Sequence, residues 1–269
     1  MDQRLFNKFR SLVYEQSGIN LGSEKQALVC ARVGKRMRTL CIQDHKEYYN
    51  RVLQDKTGRE LISLLDVIST NVTNFFREEK HFGVLDELLR QWDDEGQTRF
   101  RIWCAASSTG EEPYTIAMTV REALGGNLKD TKILATDIST SVLEKAARGE
   151  YSENKLEKIP SHLLKRYLKK VTNGSESYYQ VKDTLRSLIT FGRLNLSVNP
   201  YPLKGPFDVV FCRNVMIYFD NEVRKKVLDN IYQLLRPGGY LMVGHAESLT
   251  SLVSDFKSVM PSVYIKEPL

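Results

Sequence analysis

The chain has 269 residues, 42% of them hydrophobic and 27% charged, with a net charge of +6. That suffices for one large α/β domain and a smaller unit, and the composition is that of a globular protein, not a disordered or disulfide-stapled one. No apolar run approaches the roughly 18 residues that a membrane-spanning helix needs, and Met1-Asp2-Gln3-Arg4 leads straight into an amphipathic pattern without the features of a secretion signal.

The positive charge favours an acidic partner without choosing among nucleic acid, an anionic membrane surface and an acidic protein. Cys30, Cys41, Cys104 and Cys212 form no C-x-x-C pair. Two of them sit in apolar strand-like runs, as free thiols do in a reducing cytosol, so a cytoplasmic location is expected. His45, His81, His162 and His245 are far apart in the chain, and no His/Cys/carboxylate cluster has metal-ligand spacing. No metal site is expected.

The first seventy or so residues read as helices. Leu5, Phe6, Phe9, Leu12 and Val13 recur at helical spacing, and Gly18 and Gly22 punctuate the end of that element. A second helix is expected from Ser23, a good N-cap, through Leu28, Val33 and Met37. Its remaining positions carry Arg32, Lys35, Arg36 and Arg38. A third candidate holds Tyr48, Tyr49, Val52 and Leu53, and a fourth Leu61, Leu64, Leu65 and Ile68. After Phe100 short apolar runs alternate with helices. Arg101–Ala105, Lys132–Asp137, Leu188–Phe191, Phe207–Cys212 and Tyr240–Val243 read as strands. Segments at Glu112–Leu124, Ser141–Arg148 and Asn221–Leu235 read as helices, the last broken by Pro237-Gly238-Gly239. Such alternation predicts a parallel sheet covered on both faces. The polar stretch from about Glu150 to Arg186 interrupts it, and Tyr178–Val181 fits one strand of a small antiparallel insertion.

Ligands of open α/β sheets lie beyond the carboxyl ends of the strands. The first strand ends in Ala105-Ala106-Ser107-Ser108-Thr109-Gly110-Glu111-Glu112. The dinucleotide fingerprint G-x-G-x-x-G is absent. Two adjacent carboxylates stand there instead; they would repel a pyrophosphate but suit a ligand with a positive centre. The plainer alternative is a pair of acids favouring the helix dipole. Asp137 ends the second strand, where a carboxylate can accept from both hydroxyls of a ribose or, alternatively, cap the next helix. It signals a nucleoside without saying which. Asn195-Leu196 suits an adenine edge and face, and Arg213-Asn214 ends the strand at Val209. Asn199-Pro200-Tyr201-Pro202 differs from the N-P-P-Y of nucleic-acid amino-methyltransferases and precedes the strand that should carry it, so it reads as a loop.

Taken in order, several of these segments resemble the chemotaxis receptor methyltransferase family, CheR. The carrying motifs are Asn71-Val72-Thr73-Asn74-Phe75-Phe76-Arg77, Ser108-Thr109-Gly110-Glu111-Glu112-Pro113-Tyr114, Ala135-Thr136-Asp137-Ile138 and Cys212-Arg213-Asn214-Val215-Met216-Ile217-Tyr218-Phe219. Pro237-Gly238-Gly239-Tyr240 and Gly244-His245-Ala246-Glu247-Ser248 also fit. The family often has Gly-Cys before Ser-Thr-Gly-Glu-Glu, where this chain has Ala106-Ser107.

The resemblance implies a Rossmann-like class I methyltransferase sheet with an N-terminal all-helical domain and a small inserted antiparallel β-subdomain. The expected bounds are 1–75, 76–269 and, for the insertion, about 152–187. It implies S-adenosylmethionine as cofactor, S-adenosylhomocysteine as product, and methyl transfer to glutamate side chains of methyl-accepting chemotaxis receptors. Asn71, Thr73 and Arg77 would close over the cofactor. Glu112 and Asp137 would hold its polar ends, and Asn195, Leu196, Arg213 and Asn214 would line the adenosine pocket and its approach. Arg77 and Tyr218 would orient the substrate carboxylate. A monomer is expected, docking to the acidic helical cytoplasmic region of a receptor through the Arg32–Arg38 cluster, with no nucleic acid bound and no membrane insertion. The rival readings are a nucleic-acid methyltransferase, a nicotinamide dehydrogenase and a non-catalytic module of the same fold.

Overall fold

The computed structural model describes residues 1–125, 128, 130–174, 176–249 and 254–268. The first four helices are α1 (Gln3–Ser17), α2 (Gln26–Thr39), α3 (His45–Gln54) and α4 (Arg59–Ile68). The side chain of Asp2 accepts from the Leu5 amide to start α1, and Gly18, at φ 70°, ends it in the left-handed conformation. The inward stripes of these helices bury Phe6, Phe9, Val13, Val29, Val33, Met37, Tyr48 and Leu64 in one small core.

Ser23 does not cap α2. It opens a short 3₁₀ turn, Ser23–Lys25, and the helix proper begins at Gln26 without a side-chain cap. The basic residues of α2 also divide. Arg32 donates to the carbonyls of Ile68 and Ser69. Arg36 makes a two-pronged contact with Glu60 at 2.9 and 2.7 Å, and the Tyr48 hydroxyl joins at 2.9 Å. These two arginines fasten α2 to α4, while Lys35 and Arg38 stay exposed.

Beyond the linker between α4 and α5, which holds the Asn71–Arg77 motif, the chain runs α5 (Lys80–Asp94), β1 (Arg99–Cys104), α6 (Glu111–Leu124), β2 (Asp130–Asp137), α7 (Thr140–Arg148), β3 (Glu150–Tyr151), α8 (Ser161–Tyr167), β4 (Leu168–Asn173), β5 (Glu176–Val181) and α9 (Asp183–Arg186). It continues through β6 (Ile189–Arg193), β7 (Phe207–Cys212), α10 (Asn221–Leu234), β8 (Leu235–Val243), β9 (Lys257–Met260) and β10 (Val263–Ile265). The main sheet has the order β6-β2-β1-β7-β8-β10-β9. β6, β2, β1, β7 and β8 are parallel, and β10 joins antiparallel to β8 and β9. Successive residues of β1 face opposite sides. Ile102 and Cys104 enter one core with Phe82, Leu85 and Tyr114; Trp103 enters the other with Val210, Val227 and Leu241.

The sheet with helices on both faces is the architecture expected from the alternation. Four details differ. Helix α5, an amphipathic element burying Phe82, Leu85, Leu89 and Trp92, was not anticipated, and neither were β9 and β10. Pro237-Gly238-Gly239 does not separate α10 from the next strand: α10 stops at Leu234 and β8 starts at once. The strand absorbs the motif through a register shift against β7, and the Gly238 amide finds the Lys266 carbonyl at 2.7 Å. The inserted sheet, of order β3-β5-β4, begins at Glu150, because Glu150 and Tyr151 pair with Gln180 and Tyr179.

Candidate active site

β1, β2 and β7 end side by side, and their carboxyl ends open into one cleft. Asn71, Thr73, Arg77, Glu112, Asp137, Asn195, Leu196, Arg213, Asn214 and Tyr218 all line it. The opposite wall comes from the helical unit, with Ile19, Leu21, Val29 and Arg32, which sequence reasoning did not assign to the site.

Asp137 is buried at the end of β2. One carboxylate oxygen accepts from the Ser108 amide and the other from the Ser139 amide, each at 2.9 Å. It therefore braces the loop after β1 against its own loop. It does not cap α7, since Ser139 does so through the Val142 amide. Burial raises its pKa above the usual 3.8, and the amide hydrogen bonds only partly offset this. A carboxylate facing a cleft in this position retains lone pairs for further donors, which fits a ribose.

The two acids at the start of α6 have separate jobs. Glu111 turns from the cleft and accepts from the Thr109 hydroxyl at 2.6 Å, with Lys155 3.7 Å away. Glu112 lines the cleft, and burial raises its pKa against the opposing pull of Arg213. Only one of the adjacent carboxylates is thus available to a positive centre. Gly110 makes the turn possible at φ 98°. A Cβ there would lie 2.7 Å from the Tyr151 hydroxyl and 2.9 Å from the Ala146 Cβ.

Arg213 follows β7 with its side chain wholly buried. It donates to Glu112 at 2.7 Å, to Glu78 at 3.1 Å and to the Arg77 carbonyl, over the ring of Phe82. Its place is therefore behind the wall as much as in it: it ties the linker to α6. Burial alone would raise Glu78, but Arg213 and Asn214 hold it below its usual value. Arg77 spends one donor on the Val72 carbonyl at 2.9 Å. The Ser108 hydroxyl bonds the Asn71 carbonyl at 3.1 Å and so fixes the linker over the cleft. Asn195 uses its side chain on the Gln16 carbonyl and on Ser197, so it joins the two units. Tyr201, from the Asn199–Pro202 loop, donates to the Leu196 carbonyl at 2.8 Å and sets that residue against the cleft.

Tyr218 lies in a 3₁₀ turn, Met216–Tyr218, and not at a strand end. Asn214, at φ 58°, turns the chain out of β7 to make this possible. The Asn20 amide donates to the Tyr218 carbonyl at 2.8 Å, so the helical unit holds the turn from outside.

One cluster was invisible to spacing. Glu78, His81 and His245 bring one ligand atom each to within 4.8 Å of the others. Burial and the neighbouring Arg213 push His81 down to about 4, so its ring is neutral near pH 7. Arg213 already occupies the Glu78 carboxylate, and its charge disfavours a dication there.

No helix among the described residues is long and apolar enough to cross a membrane. The model of the CheR methyltransferase S-adenosylmethionine-binding domain matches residues 71–265, and that of the CheR methyltransferase all-alpha domain matches residues 4–69. The chain is 37% identical to the chemotaxis protein methyltransferase of Salmonella typhimurium, over 98% of this chain and 92% of the relative. It is 38% identical to that of Escherichia coli, over 96% and 89%, and 38% identical to that of Borreliella burgdorferi, over 95% and 91%. The cleft fits such a cofactor: it offers buried acceptors in Asp137 and Glu112 and apolar walls in Leu196, Ile138 and Val29. This chain is therefore a member of the CheR family of S-adenosylmethionine-dependent methyltransferases.

Proposed function

We propose that the protein methylates glutamate side chains on chemotaxis receptors, with Asp137 and Glu112 holding S-adenosylmethionine and with Arg77 and Tyr218 orienting the substrate carboxylate. The observation that carries this reading is the convergence of those four residues on one cleft. When bound, S-adenosylmethionine supplies an activated methyl group and leaves as a neutral thioether.

The nucleophile comes with the substrate. A glutamate side chain, with a reference pKa of about 4.3, is ionised at neutral pH and needs no general base. That agrees with a cleft lined by no histidine and no cysteine among the described residues. The chain's own residues therefore bind and align. Placing reactants in line can supply about 7–11 kcal/mol in favourable cases. Arg77 attracts the carboxylate, and the Tyr218 hydroxyl donates to one of its oxygens so that the other faces the methyl group. The buried Asp137 accepts from the ribose, Glu112 from the ammonium end, and Leu196 lies against the adenine face. The linker from Asn71 to Arg77 covers the bound cofactor and excludes water, which favours a step that cancels opposite charges.

Residues 1–75 form the docking unit in this reading, and residues 76–269 the catalytic unit. Lys35 and Arg38, the exposed members of the α2 cluster, meet the acidic helical region of the receptor, and Leu28, exposed on the same helix at the cleft, packs beside it. β4 is an edge of the inserted sheet and is open to strand addition by a receptor tail. The protein acts as a cytoplasmic monomer that binds no nucleic acid.

Tyr218→Phe tests the catalytic assignment. Turnover on receptor should fall by tenfold or more, with S-adenosylhomocysteine affinity held within about threefold, since one hydrogen bond made at the reacting centre is lost. Unchanged turnover would remove Tyr218 from the mechanism.

A further inference from the structure

Glu247 is buried, 5% exposed, and does not line the cleft. Its carboxylate nevertheless collects three backbone amides, two from the loop after β7 that lines the cleft and one from Gly244, just after β8. One oxygen, Oε2, accepts from Asn214 at 2.6 Å and from Gly244 at 2.7 Å. The other, Oε1, accepts from Ile217 at 3.2 Å. Ile217 is the middle residue of the turn that carries Tyr218. Gly244 is required for this approach, since a Cβ there would lie 2.5 Å from Asn214 Nδ2 and 2.7 Å from Glu247 Oε2.

A buried carboxylate is costly unless its charge is met. Three amides meeting it at one place form a small anion cradle, and the anion is supplied by the chain itself. Asn214 stands at the start of the loop and Ile217 in its turn, so one side chain fixes the loop at two points. Two other ties reach the turn: Arg224 of α10 donates from Nε to the Met216 carbonyl at 2.8 Å, and the Asn20 amide donates to the Tyr218 carbonyl at 2.8 Å. The three residues of the turn are thus held one each, Met216 by Arg224, Ile217 by Glu247 and Tyr218 by the helical unit, and Glu247 alone also holds the start of the loop at Asn214.

We infer that Glu247 is a positioning residue for methyl transfer: through the Ile217 amide it sets the turn that aims Tyr218 into the cleft. This rests on the catalytic reading of Tyr218 given above. The geometry makes the effect of an isosteric change specific. In Glu247→Gln the single amide oxygen is best placed at Oε2, where two N–H groups converge. The new NH₂ then faces the Ile217 N–H, donor against donor. Asn214 stays fixed, and the Tyr218 turn loses its hold at Ile217, between the contacts that Arg224 and Asn20 keep on its two ends.

The test measures turnover, KM for receptor, calorimetric S-adenosylhomocysteine affinity and melting temperature for wild type, Glu247→Gln and Glu247→Asp. Asp keeps the charge and both acceptors on a shorter stem and stands in should Gln not fold. The expected result is a tenfold or greater loss of turnover in Gln, with affinity for S-adenosylhomocysteine within threefold of wild type, and a smaller loss of turnover in Asp. A folded Gln variant with turnover within twofold of wild type would overturn the inference. So would turnover and affinity falling together, or failure of both variants to fold, because each assigns Glu247 to folding alone. An inactive wild type, or a fully active Tyr218→Phe, would instead locate the failure in the function reading.

Discussion

Replacing Arg213 with methionine should destabilise the protein strongly and in a pH-dependent way. The guanidinium is wholly buried between Glu112 at 2.7 Å and Glu78 at 3.1 Å. Methionine fills similar space but leaves two carboxylates facing each other with their shared cation gone. Removing one partner of a buried ion pair costs about 3–5 kcal/mol. At roughly 2–4 °C per kcal/mol for a chain of this size, the melting temperature should fall by about 6–20 °C. The sign of the pH effect follows from the two acids. In the wild type Arg213 is the main cause that holds Glu78 below its usual value, and it opposes the upward push of burial on Glu112. Without it burial prevails at both, and both take up protons at a higher pH than before. The variant's deficit should therefore be full at about pH 8 and shrink towards about pH 5, as protonation removes the buried charges. Urea unfolding of both proteins at the two pH values measures this directly. A deficit below about 1 kcal/mol, or one that does not change with pH, would show that Arg213 does not balance the charges of Glu78 and Glu112.

Two further outcomes are expected. Reversing Lys35 and Arg38 to Glu should raise KM for receptor, more so at low salt, with stability changed by no more than about 0.5 kcal/mol; Arg36→Glu should instead unfold the helical unit, because it removes the cation from Glu60 and sets a second carboxylate beside it, and kinetics beside thermal melts separate the two. Because burial raises Asp137 and Glu112, affinity for S-adenosylhomocysteine should begin to decline with falling pH above the range of an exposed aspartate; calorimetry across pH should show part of that slope lost in Asp137→Asn, and an unchanged slope would remove Asp137 from the linkage.

The parallel sheet was legible because its strands are short apolar runs bounded by turn residues, and those runs are buried on both faces. Asp137 could be read from its place at a strand end. Pro237-Gly238-Gly239 misled because local turn preference was overridden by pairing with β7 and by the Lys266 contacts, which no local pattern reveals. The basic face of α2 looked uniform in sequence, yet two of its arginines are spent on α4, a fact set by how the helices pack. All ten expected site residues converge, but proximity does not give each a role: Arg213 and Asn195 serve largely to join elements. Glu78 was not singled out, and Glu247 stood in a family motif without a role, because what each does lies in contacts across the chain, with Arg213 and Asn214. The missing G-x-G-x-x-G argued against a dinucleotide enzyme, and family membership bears that out.

In the proposed function this cleft binds S-adenosylmethionine through Asp137. Calorimetric titration of the wild type and Asp137→Ala with S-adenosylhomocysteine tests it most directly. Micromolar binding, about −8 kcal/mol, is expected for the wild type, weakened at least tenfold in a variant that remains folded. A folded wild type that does not bind, or a variant that binds equally well, would contradict it.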